Sequence, residues 1–324
     1  MKTILITGAA GFIGSHLTEL LVSEGYKIRA LTHYNSKNNW GWLETSKFKN
    51  EIEIIGGDIR DYDSVFDALK GCDTVFHLAA LIGIPYSYIS PLAYIKTNIE
   101  GTYNILQAAK ELNLENVIIT STSETYGTAQ YVPIDEKHPL VGQSPYSASK
   151  IAADQLAISF YKSYNLPVKI VRPFNTYGPR QSARAIIPTI ISQLLTGKKN
   201  LNLGSLKPTR DLTYVKDTIE GFLSIAKSKK LTGEVTNVGM NAEISIKELV
   251  KIISRIIEVK VVLKTDKERL RPKNSEVERL HCDNSKLLQN TLWRPKFNLE
   301  TGLNETINWI KKNIHNYKPE IYNV

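Results

Sequence analysis

Short runs of β-branched and aliphatic residues alternate with helix-length amphipathic stretches through the first half of the chain. Thr3 to Thr7, Lys27 to Leu31, Glu53 to Ile55, Thr74 to His77, Val117 to Ser121 and Val168 to Val171 are predicted strands. Caps and a 3.6-residue apolar repeat predict helices between them, including Asp63 to Leu69, Ile95 to Leu112 and Tyr146 to Tyr164, the last stopped by Pro167. Strands spaced by helices connect as right-handed βαβ units. The expected fold is therefore α/β, a Rossmann-type doubly wound parallel sheet whose ligands bind at the C-terminal ends of the strands. After about residue 176, loops carrying Pro179, Pro188, Pro208 and Pro272 separate helices such as Ile244 to Ile257 and Leu303 to Ile314. We expect a first domain over residues 1–175, with later strands and helices returning to it near 210–240. Residues 176–324 are expected to form mainly a smaller mixed α/β lobe over the ligand cleft.

The segment Thr7-Gly8-Ala9-Ala10-Gly11-Phe12-Ile13-Gly14 lies between the first strand and its helix. Gly8 and Gly11 permit a tight turn and close approach to a pyrophosphate, Gly14 lets helix and strand pack, and the helix N-terminus offers free N–H groups. This makes the first domain a dinucleotide-binding unit, with Gly8, Gly11, Phe12, Ile13 and Gly14 as cofactor contacts. An NAD site commonly places an acid at the end of the second strand to accept from the ribose hydroxyls. The stretch from Ala30 to Lys37 contains none. Thr32 and His33 at that edge therefore favour NADP, while a neutral ribose site that accepts NAD stays open. Asp58 and Ile59, after the third strand, are placed to meet the adenine, and Leu78, Ala79 and Ala80, after the fourth, to flank the cofactor.

Tyr146 and Lys150 stand four apart in Tyr-Ser-Ala-Ser-Lys, on one helix face. A phenol titrates near 10, and a neighbouring cation favours its ionised form, so the pair reads as a general base beside a nicotinamide. Thr122-Ser123-Glu124 follows a predicted strand at the same sheet edge, which gathers hydroxyl, carboxylate, phenol and ammonium into one constellation.

At about 150 residues per domain, 324 residues suit two packed units. A hydrophobic share of 42% with 23% charged residues excludes fibrous and disordered classes. The net charge of +9 suits an anionic partner. Its basic residues are dispersed and show no aromatic-basic reading motif, so nucleic acid is not expected. Cys72 and Cys282 are too few for a disulfide framework or a cysteine zinc site, and the six histidines form no HExxH pair, so no metal is expected. The longest apolar stretch, Ala185 to Leu195, is about half of a ~20-residue membrane span and is interrupted by Pro188, Thr189, Ser192 and Gln193. We expect no membrane partner and a cytoplasmic protein.

Several motifs together resemble the extended short-chain dehydrogenase/reductases that act on nucleotide sugars: TGAAGFIG at 7–14, YSASK at 146–150, RPFNTYGPR at 172–180, RDLTYVKD at 210–217 and RPKNSEV at 271–277. The TSETYG segment at 122–127 resembles that of the 4,6-dehydratases. The spelling of ALIGIPYSY, ETYGTAQYVPIDE and QSPYSASK is most similar to the GDP-N-acetylglucosamine 4,6-dehydratases of legionaminic acid synthesis. The resemblance implies a lyase with tightly bound NADP or NAD. In it Tyr146 and Thr122 act at the sugar 4-hydroxyl, Lys150 holds the ribose and polarises the phenol, and Glu124 takes the C5 proton. Many dTDP-glucose dehydratases carry an Asp acid where Ser123 stands. Ser87, Asn175, Arg180, Arg210 and Arg271 are the implied nucleotide-sugar contacts.

UDP-glucuronate decarboxylases share the Thr-Ser-Glu sequence, and 4-epimerases share the scaffold. A decarboxylase needs a cation for the sugar carboxylate, and the expected sugar-facing segment Leu81 to Ser90 carries no Arg or Lys. A non-catalytic dinucleotide-binding scaffold is the alternative from another class. Apolar residues on more than one face of the helices Ile95 to Leu112 and Tyr146 to Tyr164, including Ile151, Leu156 and Phe160, imply a homodimer through a four-helix bundle.

Overall fold

The computed structural model describes residues 2–198 and 200–322. Strands β1 (Thr3–Thr7), β2 (Lys27–Thr32), β3 (Ile52–Gly56), β4 (Thr74–His77), β5 (Asn116–Thr120) and β6 (Val168–Pro173) form one parallel sheet with Val235–Val238. Its spatial order is Val235–Val238, β6, β5, β4, β1, β2, β3. The order reverses direction between β1 and β4, which opens a crevice at their C-terminal ends. Both faces of the sheet are covered, so the inner strands β1, β4 and β5 read as nearly continuous apolar runs. Ile4 and Ile6 enter one core cluster while Leu5 enters the other, as the two-residue period of a strand requires. Each fully buried aliphatic side chain of this kind contributes roughly 1.5–3 kcal/mol.

Helix α1 (Phe12–Ser23) follows β1 directly, and α2 (Tyr62–Leu69) starts where the Asp61 carboxylate accepts from the Ser64 N–H at 2.8 Å. The helix Pro145–Tyr164 opens with a Ser144–Ser147 capping box and ends on Asn165 in the left-handed region. The predicted helix from Ile95 to Leu112 differs. An α-turn at Pro91–Tyr94 runs into a wide π-helical turn at Ile95–Glu100 before regular helix resumes at Gly101–Glu111. At that junction Gly101 abuts Ile59: a Cβ there would lie 2.7 Å from Ile59 Cδ1.

The second lobe is built from strand pairs too short to announce themselves in the residue pattern. Asn175–Tyr177 pairs with Leu212–Tyr214, Thr209–Arg210 with Ile244–Ser245, and Asn200–Leu203 with Val262–Thr265. Ser245 and Glu248 cap the helix Ile246–Ile257, two residues later than its periodicity predicts. The final long helix, Leu299–Lys312, starts earlier, because the Asn298 side-chain Oδ1 accepts from the Thr301 N–H. Among the described residues no helix is long and apolar enough to cross a membrane.

Candidate active site

A cleft of about 1410 Å³ runs along the C-terminal edge of the sheet, between the sheet and the second lobe. Single-ligand pockets occupy roughly 300–1000 Å³, so there is room for two extended ligands. Its floor is the glycine turn. Gly8 has φ +70°, and a Cβ there would lie 2.8 Å from the Ala79 nitrogen. At Gly14 a Cβ would lie 2.1 Å from the Gly8 oxygen. Gly11 precedes α1 without a side-chain cap, so the first N–H groups of Phe12, Ile13 and Gly14 face the cleft unclaimed. These are the dimensions and donors that a pyrophosphate requires.

A buried polar chain holds this floor to β4. The Ala79 N–H donates to Thr7 Oγ1 at 3.1 Å, and the Thr7 hydroxyl meets His77 Nδ1 at 2.8 Å. His77 Nε2 meets Thr102 Oγ1 at 3.2 Å, and Thr102 in turn donates to the Asn98 carbonyl. With Thr102 already donating, the proton sits on His77 Nε2, and Nδ1 accepts from Thr7. Burial, with the Lys150 charge adding to it, lowers the His77 pKa to about 3, so the ring is neutral.

At the end of β2, the edge expected to meet the adenine, Thr32 is buried and His33 exposed. Asp58 comes within 3.7 Å of His33 from the neighbouring strand end, so a carboxylate reaches an edge where the local sequence shows none. Arg60 grips it through Nε and Nη2, which holds the Asp58 carboxyl below the usual range. Ile59 packs beneath, its carbonyl accepting from Asn104. Leu78, Ala79 and Ala80 line the cleft wall.

The strand β5 stops at Thr120, one residue short of the predicted end, and a single 3₁₀ turn, Ser123–Tyr126, follows. Thr122 caps that turn, accepting from the Glu124 N–H, and Gly127 closes it at φ +66°. Thr122, Ser123, Glu124, Tyr146 and Lys150 all line the cleft, and Glu124 is only 8% exposed. The Glu124 charge acts on both Tyr146 and Arg210. Lys150 donates from Nζ to the Thr120 carbonyl at 2.5 Å, and burial lowers its pKa. The expectation that Lys150 draws the Tyr146 phenol down is corrected here. Burial pushes Tyr146 up, the Thr122 hydroxyl opposes this only in part, and Glu124 adds to it.

Behind Lys150, one further turn along the same helix, Asp154 is fully buried. It accepts from Arg172 Nη2 at 2.7 Å and Ser121 Oγ at 2.6 Å, and the Arg172 guanidinium lies 4.6 Å over the Tyr126 ring. This pair fixes β5, β6 and the helix Pro145–Tyr164 to one another directly under the site.

The implied nucleotide-sugar contacts separate. Asn175 lines the cleft with a buried Oδ1 that has no partner among the described residues. Arg210 and Arg271 converge on Glu276, each 3.4 Å from its Oε1. Arg180 stands apart from them, its Nη2 2.9 Å from Glu19 on α1. Ser87 is fully buried, and its hydroxyl donates to the Ile84 carbonyl within its own helical turn, so it serves that turn rather than the cleft wall. A cation does reach the segment expected to face the sugar: Arg184, from the loop after Arg180, comes within 3.4 Å of where a Gly83 Cβ would stand. That corrects the expectation drawn from residues 81–90 alone.

Other residues of the site carry no motif. Asn98, on the π-helical turn, exchanges hydrogen bonds with the Leu81 backbone and donates to Ser149, so it pins the cleft wall to the helix bearing Tyr146 and Lys150. Wide turns of this kind recur at functional sites. Trp42 lines the cleft beside the glycine turn, where its N–H donates to the Ala10 carbonyl and its ring meets Trp309 at 5.2 Å. The only sequence signal for either was a polar residue inside an apolar repeat and a tryptophan in a polar loop.

Comparison with known proteins accounts for this layout. The model of the GDP-mannose 4,6 dehydratase family matches residues 5–306. The human dTDP-D-glucose 4,6-dehydratase is 34% identical, over 98% of this chain and 92% of its own length. The UDP-N-acetyl-alpha-D-glucosaminuronate decarboxylase of Bacillus cytotoxicus is also 34% identical, over 96% of this chain and 98% of its own. The crystal structure of UDP-glucuronic acid 4-epimerase from Bacillus cereus, in complex with UDP-glucuronic acid and NAD, superposes with a TM-score of 0.87 at 30% identity, covering 96% of this chain and 99% of that one. The chain belongs to the GDP-mannose 4,6-dehydratase family, within the extended short-chain dehydrogenase/reductases whose members dehydrate, epimerise or decarboxylate nucleotide sugars.

Proposed function

We propose that the protein is a nucleotide-sugar 4,6-dehydratase, with GDP-N-acetylglucosamine as substrate and a tightly held nicotinamide dinucleotide as cofactor. The observation that carries this reading is Glu124, a carboxylate on the cleft wall within electrostatic reach of Tyr146. The glycine cradle and the free N–H groups of α1 fit the cofactor's pyrophosphate. When bound, a nicotinamide takes up hydride from C4 of the sugar and gives it back at C6.

The chain's own residues do the rest. Thr122 donates to the sugar O4 and fixes it beside Tyr146. Tyr146 removes the 4-hydroxyl proton, and the hydrogen bond from Thr122 favours its ionised form against the burial that opposes it. The ketone acidifies the C5 proton, which Glu124 takes. The C6 hydroxyl then leaves as water, with Glu124 handing its proton to the departing oxygen, since Ser123 supplies no carboxyl there. As hydride returns to C6, C5 regains a proton, the count being closed by the one Tyr146 took from the 4-hydroxyl, and the product is a 4-keto-6-deoxy sugar with no net redox change. Asn175, Arg210 and Arg271 hold the nucleotide diphosphate, two guanidinium forks being suited to it. The end of β2 carries no acid of its own, which favours NADP, although Asp58 brings a carboxylate to that edge from the next strand; NAD in the nucleotide released on denaturation would overturn that preference alone.

Decarboxylation is the second reading, and Arg184 at the sugar-facing segment favours it by offering a cation to a sugar carboxylate. One assay separates the two. Incubation with GDP-, UDP- and dTDP-linked sugars, followed by product masses, is expected to show loss of water from GDP-N-acetylglucosamine. Loss of carbon dioxide from a glucuronate establishes the second reading, and unchanged mass with every neutral sugar refutes the first.

A further inference from the structure

We propose that residues 316–322 form a strap that closes the nucleoside end of the substrate cleft, with the ring of Tyr322 as its contact surface. Asn316, Tyr317, Ile321 and Tyr322 line the cleft, although they follow the last long helix and no motif marks them. Three links hold the segment across the opening. The Tyr317 hydroxyl donates to the Gln181 carbonyl at 3.0 Å. Lys198 donates to the Pro319 carbonyl at 3.0 Å and pairs with Glu320 at 2.8 Å. The Arg269 guanidinium lies 4.7 Å over the Tyr322 ring and is itself braced by Asp266 at 3.0 Å.

The position along the cleft assigns the ligand part, and this step rests on the nucleotide-sugar reading above. Tyr146 and Glu124 mark the sugar. Arg210 and Arg271 both line the cleft and meet at Glu276, each 3.4 Å from its Oε1; Arg210 feels the Glu124 charge, and Arg271 follows by two residues the Arg269 that lies over Tyr322, so the two arginines stand between sugar end and strap. In a nucleoside diphosphate sugar the group beyond the diphosphate is the nucleoside. Gly204 confirms how closely this end is packed, because a Cβ there would lie 2.5 Å from the Arg269 oxygen. An aromatic ring braced by a guanidinium offers a base a stacking surface. Tyr317, packed in the core, anchors the near end of the strap, whereas the links beyond it are weak enough to open, since exposed ion pairs and cation–π contacts stabilise little and Glu320 is 73% exposed.

The test is calorimetric titration of the full chain with GDP, UDP and dTDP, a measurement that needs no turnover. Tyr322→Ala is expected to weaken the preferred nucleotide roughly 5- to 150-fold, the span that loss of one base-stacking contact covers. Tyr322→Phe, which keeps the ring, is expected to bind within about twofold of the parent. Equal binding by the parent and Tyr322→Ala overturns the strap, and so does a Tyr322→Phe variant as weak as Tyr322→Ala. Tyr322-dependent nucleotide binding in a protein that dehydrates no sugar supports the strap and refutes the dehydratase. A parent that binds none of the three nucleotides overturns both.

Discussion

Acidification should loosen the cofactor floor through His77, and the size of the effect follows from the structure. Folded, its pKa lies at about 3, against 6.5 for the free side chain. The unfolded chain therefore takes up a proton as pH falls through 6.5, whereas the folded protein refuses it until about pH 3. Stability attributable to the neutral ring is complete above pH 6.5 and is lost as pH falls across that window. Between pH 7 and pH 5 the loss is about 2 kcal/mol, at 1.36 kcal/mol per pH unit once the free ring is protonated. His16, lowered to about 4 by burial beside Arg180, adds a slope of the same sign, so the informative quantity is a difference between proteins. His77→Gln keeps an acceptor and a donor for Thr7 and Thr102 and does not titrate. Urea unfolding at both pH values is expected to show the parent losing about 2 kcal/mol more than His77→Gln, with unchanged m-values. Equal losses in the two proteins would refute a buried neutral ring at this position.

Glu124→Gln removes the base for the C5 proton, and dehydration is expected to fall by roughly 10²- to 10⁴-fold; undiminished release of water would remove Glu124 from the mechanism. Gly14→Ala would put a methyl 2.1 Å from the Gly8 oxygen, against backbone that cannot yield. Overpacking costs about 1–3 kcal/mol, so a lower melting temperature and loss of the co-purifying dinucleotide are expected; retention of both would show that the cradle is not the cofactor site. Leu92, Ile95, Tyr103 and Tyr164 leave an exposed apolar face around the helices Gly101–Glu111 and Pro145–Tyr164, which fits a second copy of the chain. Sedimentation at micromolar concentration is expected to return twice the chain mass, and a monomer would refute that pairing.

Local chemistry was enough to make the parallel sheet, the glycine turn and the Tyr146–Lys150 stripe legible. Strand and helix periods, caps and φ-positive glycines act over a few residues, and those few residues carry their own signal. Thr122, Ser123 and Glu124 were legible for the same reason, since they close a strand at the binding edge. Distance in sequence hid the rest. Asp58 reaches His33 from another strand, Arg184 reaches Gly83 from another loop, and Glu276, five residues after Arg271, also meets Arg210 from 66 residues away. Ser87 turned inward because a hydroxyl in a buried helical turn finds its nearest acceptor in that turn's own backbone. The ionisation of Tyr146 was also out of reach, because a motif shows which charge is near and only packing shows how much water has been excluded. The chain's order of residues determined the architecture and the groups gathered at the sheet edge; the folded packing decided which cation, which carboxylate and which segment line the cleft with them, since such contacts depend on where distant stretches meet.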